Sequence, residues 1–319
     1  MRTHPASSKR EPDRSCPACD VTKGWKEYCP ASFLPGDSRR IMECSRCGLS
    51  ILWPLPASSE LGTYYRGGYF DFERHREEGK GLYFAGRLKA IKPKGRFLDI
   101  GCATGFFLNG IRRNCAWEVF GLETGRDAAR HARNVLNLDV KNVPLERAGY
   151  PRDSFDYIHL NNVLEHVTDP LAVLTETGRI LKPGGRIFMA VPNGRVDRHG
   201  YLDYHRRFGK PASSKDGHLF FFSASALQAL VPRAGLRIEN SFSCGLKRSL
   251  RVLGWWPRRR GWERPYEGRD NDAGGNKVIG GTGRSHRAAY YLFKHTWERL
   301  LRFPGMTRWA YDYIVHLTK

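Results

Sequence analysis

Arg96-Phe97-Leu98-Asp99-Ile100-Gly101-Cys102-Ala103-Thr104-Gly105 is the stretch that decides the fold. Residues 96–100 form a short apolar run that reads as a buried strand. Gly101 and Gly105 bound a turn, and Phe106-Phe107-Leu108-Asn109-Gly110-Ile111 follows with helical spacing. A glycine-bearing turn between a strand and a helix is where an open α/β sheet binds its ligand, outside the carboxyl ends of the strands. The turn is not the dinucleotide fingerprint G-x-G-x-x-G, because Ala103 stands between the two glycines and an acid, Asp99, directly precedes them.

Glu118-Val119-Phe120-Gly121-Leu122-Glu123 reads as the second strand and ends in a carboxylate. An acid at that strand end can take both hydroxyls of a ribose. Further along come Ser154-Phe155-Asp156-Tyr157-Ile158 with Val163-Leu164-Glu165-His166-Val167-Thr168-Asp169-Pro170, then Leu181 to Asn193, then His218 to Ser223 with a helix and Gly235-Leu236. In this order and spacing, over roughly residues 82 to 242, the chain resembles the class I S-adenosylmethionine-dependent methyltransferases. Residues 97–105 look like their first motif and 154–170 like their fourth.

The resemblance implies an α/β fold, a Rossmann-like seven-stranded sheet, with S-adenosylmethionine as cofactor. Carried over residue by residue, Gly101, Cys102, Ala103 and Gly105 would line the methionine and ribose. Asp99 would orient the turn and face the amino group, and Glu123 would hold the ribose hydroxyls. Leu145 and Glu146 would flank the adenine, and Asn161 and Asn162 would reach the cofactor from the end of the fourth strand. Ala103 departs from the family, which most often has glycine there; its methyl narrows the turn slightly.

Ahead of this core, Cys16-Pro17-Ala18-Cys19 and Cys44-Ser45-Arg46-Cys47-Gly48 form two CxxC pairs. Two such turns complete a tetrahedral site of four thiolates, so Cys16, Cys19, Cys44 and Cys47 read as ligands of one structural zinc in an N-terminal ribbon. Four protein ligands leave no open position for a substrate. Cys29 has no partner in this spacing. The expected organisation is a ribbon over 1–56, a linker and leading helix over 57–95, and a cofactor-binding core over 96–242. An insertion over 243–310, between the sixth and seventh strands, and a closing strand over 311–319 complete it. The ribbon and the core are expected to be separate modules.

The insertion carries Trp255-Trp256-Pro257-Arg258-Arg259-Arg260-Gly261-Trp262 and an amphipathic pattern from Arg287 to Leu301. It reads either as a loop and helix packed on the core or as a cap over an anionic acceptor. Contact with a membrane surface is a third reading. With 53 Lys and Arg against 32 Asp and Glu, the formal net charge is +21. Such a field favours anionic partners, nucleic acid included; a generally basic proteome would produce it too. No apolar run is long enough to cross a bilayer, and residues 1–20 lack a signal-peptide core, so a cytoplasmic location is expected.

Two histidines stand where an acceptor would need a base. His166 follows the fourth strand and His218 precedes the last core helix; each reads equally as a structural loop histidine. Tyr204 and His205, in the loop expected after the fifth strand, are weaker candidates, and no metal-ligand spacing is visible in the core. The expected function is methyl transfer to a small-molecule, sugar or nucleotide-sugar acceptor. Sugar C-methyltransferases share the N-terminal cysteine pairs, and some rRNA guanine methylases also join a zinc ribbon to this core. An RNA methyltransferase and a non-catalytic binding protein of the same fold stay open as alternatives.

Overall fold

In the computed structural model, the described residues are 12, 14–34, 37–57, 59–61, 74–213, 217–244, 303–304 and 312–319. The main sheet begins with β4 (Arg96–Ile100), β5 (Glu118–Leu122), β6 (Asp139–Lys141), β7 (Phe155–Asn161) and β8 (Leu181–Pro192). These five pair in parallel, in the order β6-β5-β4-β7-β8. The last strand, β13 (Asp312–Thr318), inserts antiparallel between β8 and β11 (Arg237–Cys244), and a two-residue strand, β12 (Phe303–Pro304), adds to the far edge. Without that edge pair the order is third, second, first, fourth, fifth, seventh, sixth, with only the seventh reversed. This is the Rossmann-like class I methyltransferase sheet. The order turns back at β4, so its carboxyl end is the topological switch point where such sheets bind ligands.

Helices cover both faces. On one side α1 (Arg74–Ile91) and α2 (Phe106–Arg112) cross closely enough that a Cβ added at Gly81 would lie 2.3 Å from the Phe107 carbonyl. Phe84, Leu88, Phe107 and Ile111 there cover Phe97 and Tyr157 of the sheet. Next in the chain is α3 (Arg126–Asn134). On the other side, α4 (Pro170–Ile180) starts on an Asp169 side chain that accepts from Ala172 N at 3.0 Å, with Pro170 in the first turn. It is followed by α5 (Gly194–Phe208) and α6 (Ala224–Arg233), the latter capped by Ser223.

The N-terminal strands β1 (Trp25–Ser32), β2 (Arg39–Cys44) and β3 (Ser50–Trp53) form an antiparallel meander. The expectation of separate modules is corrected here. Two short core segments, β9 (Ala212–Ser213) and β10 (Phe220–Phe221), add to the two edges of the meander, giving the order β10-β3-β2-β1-β9. One continuous apolar cluster then runs from Ile41, Cys47, Ile51 and Leu52 to Leu98, Ile158, Met189 and Leu227. A ribbon that small has too little apolar surface to be stable alone, and burying its strand edges in the core removes two templates for aggregation.

Other boundaries also move. The sixth strand extends through Ser243 and Cys244, into the expected insertion. The rest of that insertion, with its tryptophans and arginines, lies outside the described residues apart from Phe303 and Pro304. No helix among the described residues is long and apolar enough to cross a membrane.

Candidate active site

The turn after β4 is held from three directions. The amides of Gly101 and Cys102 both donate to the Leu122 carbonyl of β5, at 2.8 and 3.0 Å. Gly101 and Gly105 have φ of 76° and 84°, a region that suits glycine. Side chains at these positions would also collide: a Cβ would lie 2.7 Å from Val163 Cγ2 at Gly101 and 2.7 Å from Leu138 Cδ1 at Gly105. Glu123 supplies the third hold. Its Oε2 accepts from Ala103 N at 2.9 Å and its Oε1 from Gly125 N at 2.6 Å. Burial pushes the Glu123 pKa up while these backbone donors pull against it. A carboxylate has about four lone-pair sites, so ribose hydroxyls can still be accepted beside the two amides.

Ala103 also has φ of 48°, the left-handed region. This is the physical reason for the family's glycine there. The strain costs an alanine roughly 1–2 kcal/mol, against roughly 0.5–1 kcal/mol of chain entropy for a glycine. Ala103→Gly is therefore expected to raise stability by up to about 1 kcal/mol, read as a higher denaturation midpoint. A loss of similar size would mean that the methyl makes a contact outweighing the strain.

The other expected cofactor residues are placed as follows. Cys102 contributes backbone to the turn, and its thiol lies against Gly121, where burial pushes its pKa well up. Asp99 points into the sheet and meets His159 of β7, with Oδ1 2.7 Å from Nδ1. That imidazole stacks between Phe107 and Phe188 at 4.6 and 4.9 Å. This buried partnership, which the sequence did not reveal, fixes the strand end that carries Asp99. Burial pushes the Asp99 pKa up and the imidazole draws it back. Leu145 is buried in a single 3-10 turn, Leu145–Arg147, with Glu146 exposed beside it. Asn161 ends β7 exposed, and Asn162, with φ of 54°, donates its amide to the Ala190 carbonyl at 2.9 Å.

His166 and His218, far apart in the chain, meet with ring centroids 4.9 Å apart. Val163, which packs on Gly101, begins the turn that carries His166. The two rings are held differently. His218 Nδ1 lies 2.6 Å from Asp197 Oδ2, and both residues are buried. A carboxylate only accepts, so Nδ1 carries the proton of this bond. His166 Nδ1 is 3.3 Å from the Gly217 carbonyl, and burial with the nearby His218 charge pushes its pKa down to about 3.

Glu165 completes the group. It is fully buried, neither carboxyl oxygen has a hydrogen-bond partner among the described residues, and the nearest imidazole nitrogen, His166 Nε2, is 3.9 Å away. Burial pushes its pKa up to about 8. The core does therefore assemble three donors, from Glu165, His166 and His218, within 4.8 Å of one another. Spacing could not reveal this, because His218 arrives from a distant segment. Asp197 was likewise invisible in the sequence. The weaker candidates Tyr204 and His205 lie on α5, not in a loop; Tyr204 packs on Phe208, and half-buried His205 contacts the Lys210 carbonyl.

At the ribbon, Cys16 Sγ and Cys47 Sγ are 3.6 Å apart, as are those of Cys19 and Cys44, and all four sulfurs lie within 4.8 Å of one another. A tetrahedron of Zn–S bonds of about 2.3 Å has edges of about 3.8 Å, so the four thiols fit that ion. The Cys47 thiol holds the Cys16 pKa down to about 5. Cys29 is buried elsewhere, and burial pushes its pKa up to about 12.

The chain matches a family model described as a methyltransferase domain over residues 72–241, more than half of its length. Among curated relatives, the ubiquinone biosynthesis O-methyltransferase of Nitrosococcus oceani is 29% identical over 155 residues, which is 46% of this chain and 64% of that protein. The match thus spans less than two thirds of the Nitrosococcus protein. The enzyme of the same name from Parvibaculum lavamentivorans is 27% identical over 171 residues, 51% of this chain and 68% of that one. Among solved structures, a SAM-dependent methyltransferase of Thermotoga maritima aligns with TM-score 0.45 and 18% identity over 77% of this chain and 91% of that chain. With the strand order, the glycine turn and the family match in agreement, the chain belongs to the methyltransferase-domain family of the class I S-adenosylmethionine-dependent fold.

Proposed function

We propose that this protein methylates a hydroxyl of a small-molecule acceptor, with His218 as the general base and Asp197 as the group that orients it. The observation that carries the reading is the buried Asp197–His218 pair at 2.6 Å, beside the turn that packs on the cofactor-binding glycines. Bound at the β4 turn, S-adenosylmethionine supplies an electrophilic methyl carbon on sulfur. Gly101 and Gly105 let the backbone approach it, Glu123 holds the ribose, and Leu145 with Glu146 flanks the adenine. The backbone of Cys102 and Ala103, with Asn161 and Asn162, completes the surround. An alcohol or phenol must lose its proton as its oxygen takes the methyl. His218 Nε2 accepts that proton, and Asp197 stabilises the imidazolium formed. Most of the remaining rate comes from in-line alignment of the two reactants.

Relatives named as O-methyltransferases of ubiquinone biosynthesis support an oxygen acceptor of small size. The cysteine pairs, shared with sugar C-methyltransferases, keep sugar and nucleotide-sugar acceptors in the class to be tried. Cys16, Cys19, Cys44 and Cys47 hold one structural zinc in this reading.

Calorimetry should give a low-micromolar dissociation constant for S-adenosylmethionine, on the order of −8 kcal/mol. Glu123→Ala is expected to weaken it by about 1–3 kcal/mol, because it removes the ribose acceptor and frees the Ala103 and Gly125 amides together. Unchanged affinity would put the ribose elsewhere. Turnover of a panel of catechols, phenols and sugar nucleotides, assayed with the parent and with His218→Ala, tests the base. The variant should lose roughly a hundredfold or more in rate. Equal turnover on an accepted substrate would remove His218 from the chemistry.

A further inference from the structure

Arg198 follows Asp197 on α5 and is buried, with 7% of its surface exposed. A guanidinium out of water is costly unless its donors are used. Its NH1 donates to Ser50 Oγ at 2.6 Å, its NH2 pairs with Glu43 Oε1 at 2.7 Å, and its plane lies 4.2 Å over the Tyr28 ring. Those partners come from β3, β2 and β1, one from each strand of the ribbon meander. The Nε finds no partner among the described residues. A buried ion pair used only for cohesion could be replaced, both partners together, by apolar side chains of similar volume at little cost. Here Arg198 ties the turn of α5 that presents Asp197 to the ribbon at three points.

His218 is anchored to the same strand from its own side. The Leu52 amide of β3 donates to the Leu219 carbonyl at 2.9 Å, and β10 pairs with β3 through Phe220–Ile51 and Phe221–Ser50. Just beyond, the Ser223 and Ser225 hydroxyls both donate to the carbonyl of Cys47, at 2.7 and 2.8 Å. Ser50 therefore touches both lines, bonding Arg198 by its hydroxyl and pairing with Phe221 by its backbone. The two halves of the His218–Asp197 pair reach each other from segments that are each referenced to the ribbon.

We propose that Arg198 is a positioning residue through which the cysteine ribbon sets the distance and orientation of Asp197 against His218. This rests on the reading of His218 as the base, but its test does not require turnover. The full-length protein is labelled with 15N-histidine, and the hydrogen-bonded Nδ1 proton of His218 is assigned by its loss in His218→Gln. In the parent that proton should exchange slowly with water. In Arg198→Met it should exchange about tenfold faster or more, because the pair opens more often. Arg198→Lys, a point charge that cannot make both contacts, should fall between the two. Binding of S-adenosylmethionine should stay within about twofold in each, since Ser50, Glu43 and Tyr28, which Arg198 contacts, lie on the ribbon strands and not on the glycine turn. Glu43→Gln, a milder change, serves if Arg198→Met does not fold, and it should raise exchange in the same direction.

Nδ1 exchange unchanged in folded Arg198→Met, or in Glu43→Gln where that variant does not fold, would overturn the proposal and leave Arg198 a cohesive contact only. Faster exchange combined with full turnover in His218→Ala would keep the coupling and discard the base instead.

Discussion

Cys44→Ser is expected to unfold the whole chain, not the ribbon alone. Cys44 closes β2, is buried, and forms its knuckle by accepting from Gly48 N at 2.9 Å and donating to the Leu49 carbonyl at 2.8 Å. A structural zinc contributes roughly 10–16 kcal/mol to the fold it binds, and a whole domain is stable by only about 5–15 kcal/mol. If the ribbon were a separate bead, its loss would leave the cofactor site intact. The structure gives the opposite expectation. The Cys47 carbonyl takes both serines at the start of α6, and Arg233 at the end of that helix donates to the carbonyls of Cys16 and Pro17, at 3.4 and 2.5 Å. The apolar cluster continues across the boundary without a break. Zinc release by a strong chelator should therefore coincide with loss of helical circular dichroism and of S-adenosylmethionine binding, in one transition. A first transition that releases zinc and leaves cofactor binding in place would show that the two parts fold independently after all.

What the sequence made legible divides along physical lines. The glycine turn, Glu123 and the cysteine pairs are local patterns, each set by one short segment whose backbone geometry needs those residues. The class I sheet follows from the same source, because parallel strands with helical crossovers leave few ways to connect. The closing strand was readable as a final apolar run. The acceptor side was not. His166 and His218 were visible singly, but their contact depends on how β10 is drawn onto β3, a long-range pairing with no local mark. Asp197 and Arg198 look like ordinary charges on an amphipathic helix until the ribbon is placed against it. The same holds for His159, whose pairing with Asp99 crosses from one strand to the next. The ribbon over 1–56 and the core read as separate modules. The edge pairing of β9 and β10 that overturns this involves four residues in all.

Glu165→Gln is expected to change the pH dependence of stability strongly. The side chain is fully buried and its oxygens accept no hydrogen bond among the described residues, so the neutral form is strongly favoured in the folded state. Its pKa rises from 4.5 to about 8 on folding. Below 4.5 both states hold the proton and burial carries no ionic penalty. Between there and about 8 the unfolded chain ionises and the folded one does not, so stability falls by roughly 1.4 kcal/mol for each pH unit. His166 acts oppositely: its pKa drops from 6.5 to about 3, so its contribution is lost as pH falls through that window. In the parent the two contributions nearly cancel from about 4.5 to 6.5, and the Glu165 slope is exposed from 6.5 to 8. Glutamine removes the Glu165 slope and keeps the shape. The advantage of Glu165→Gln over the parent should therefore grow by about 4 kcal/mol between pH 4.5 and 8.5, whatever its value at the acidic end. Urea denaturation across that range, in the presence of a chelator too weak to take zinc from four thiolates, measures the difference directly. Parallel curves for the two proteins would mean that Glu165 is ionised in the folded state. A gain in parent stability on adding manganese, absent in Glu165→Gln, would then assign the Glu165, His166 and His218 donors to a divalent cation, which would take over from the proton as the group that neutralises the buried carboxylate.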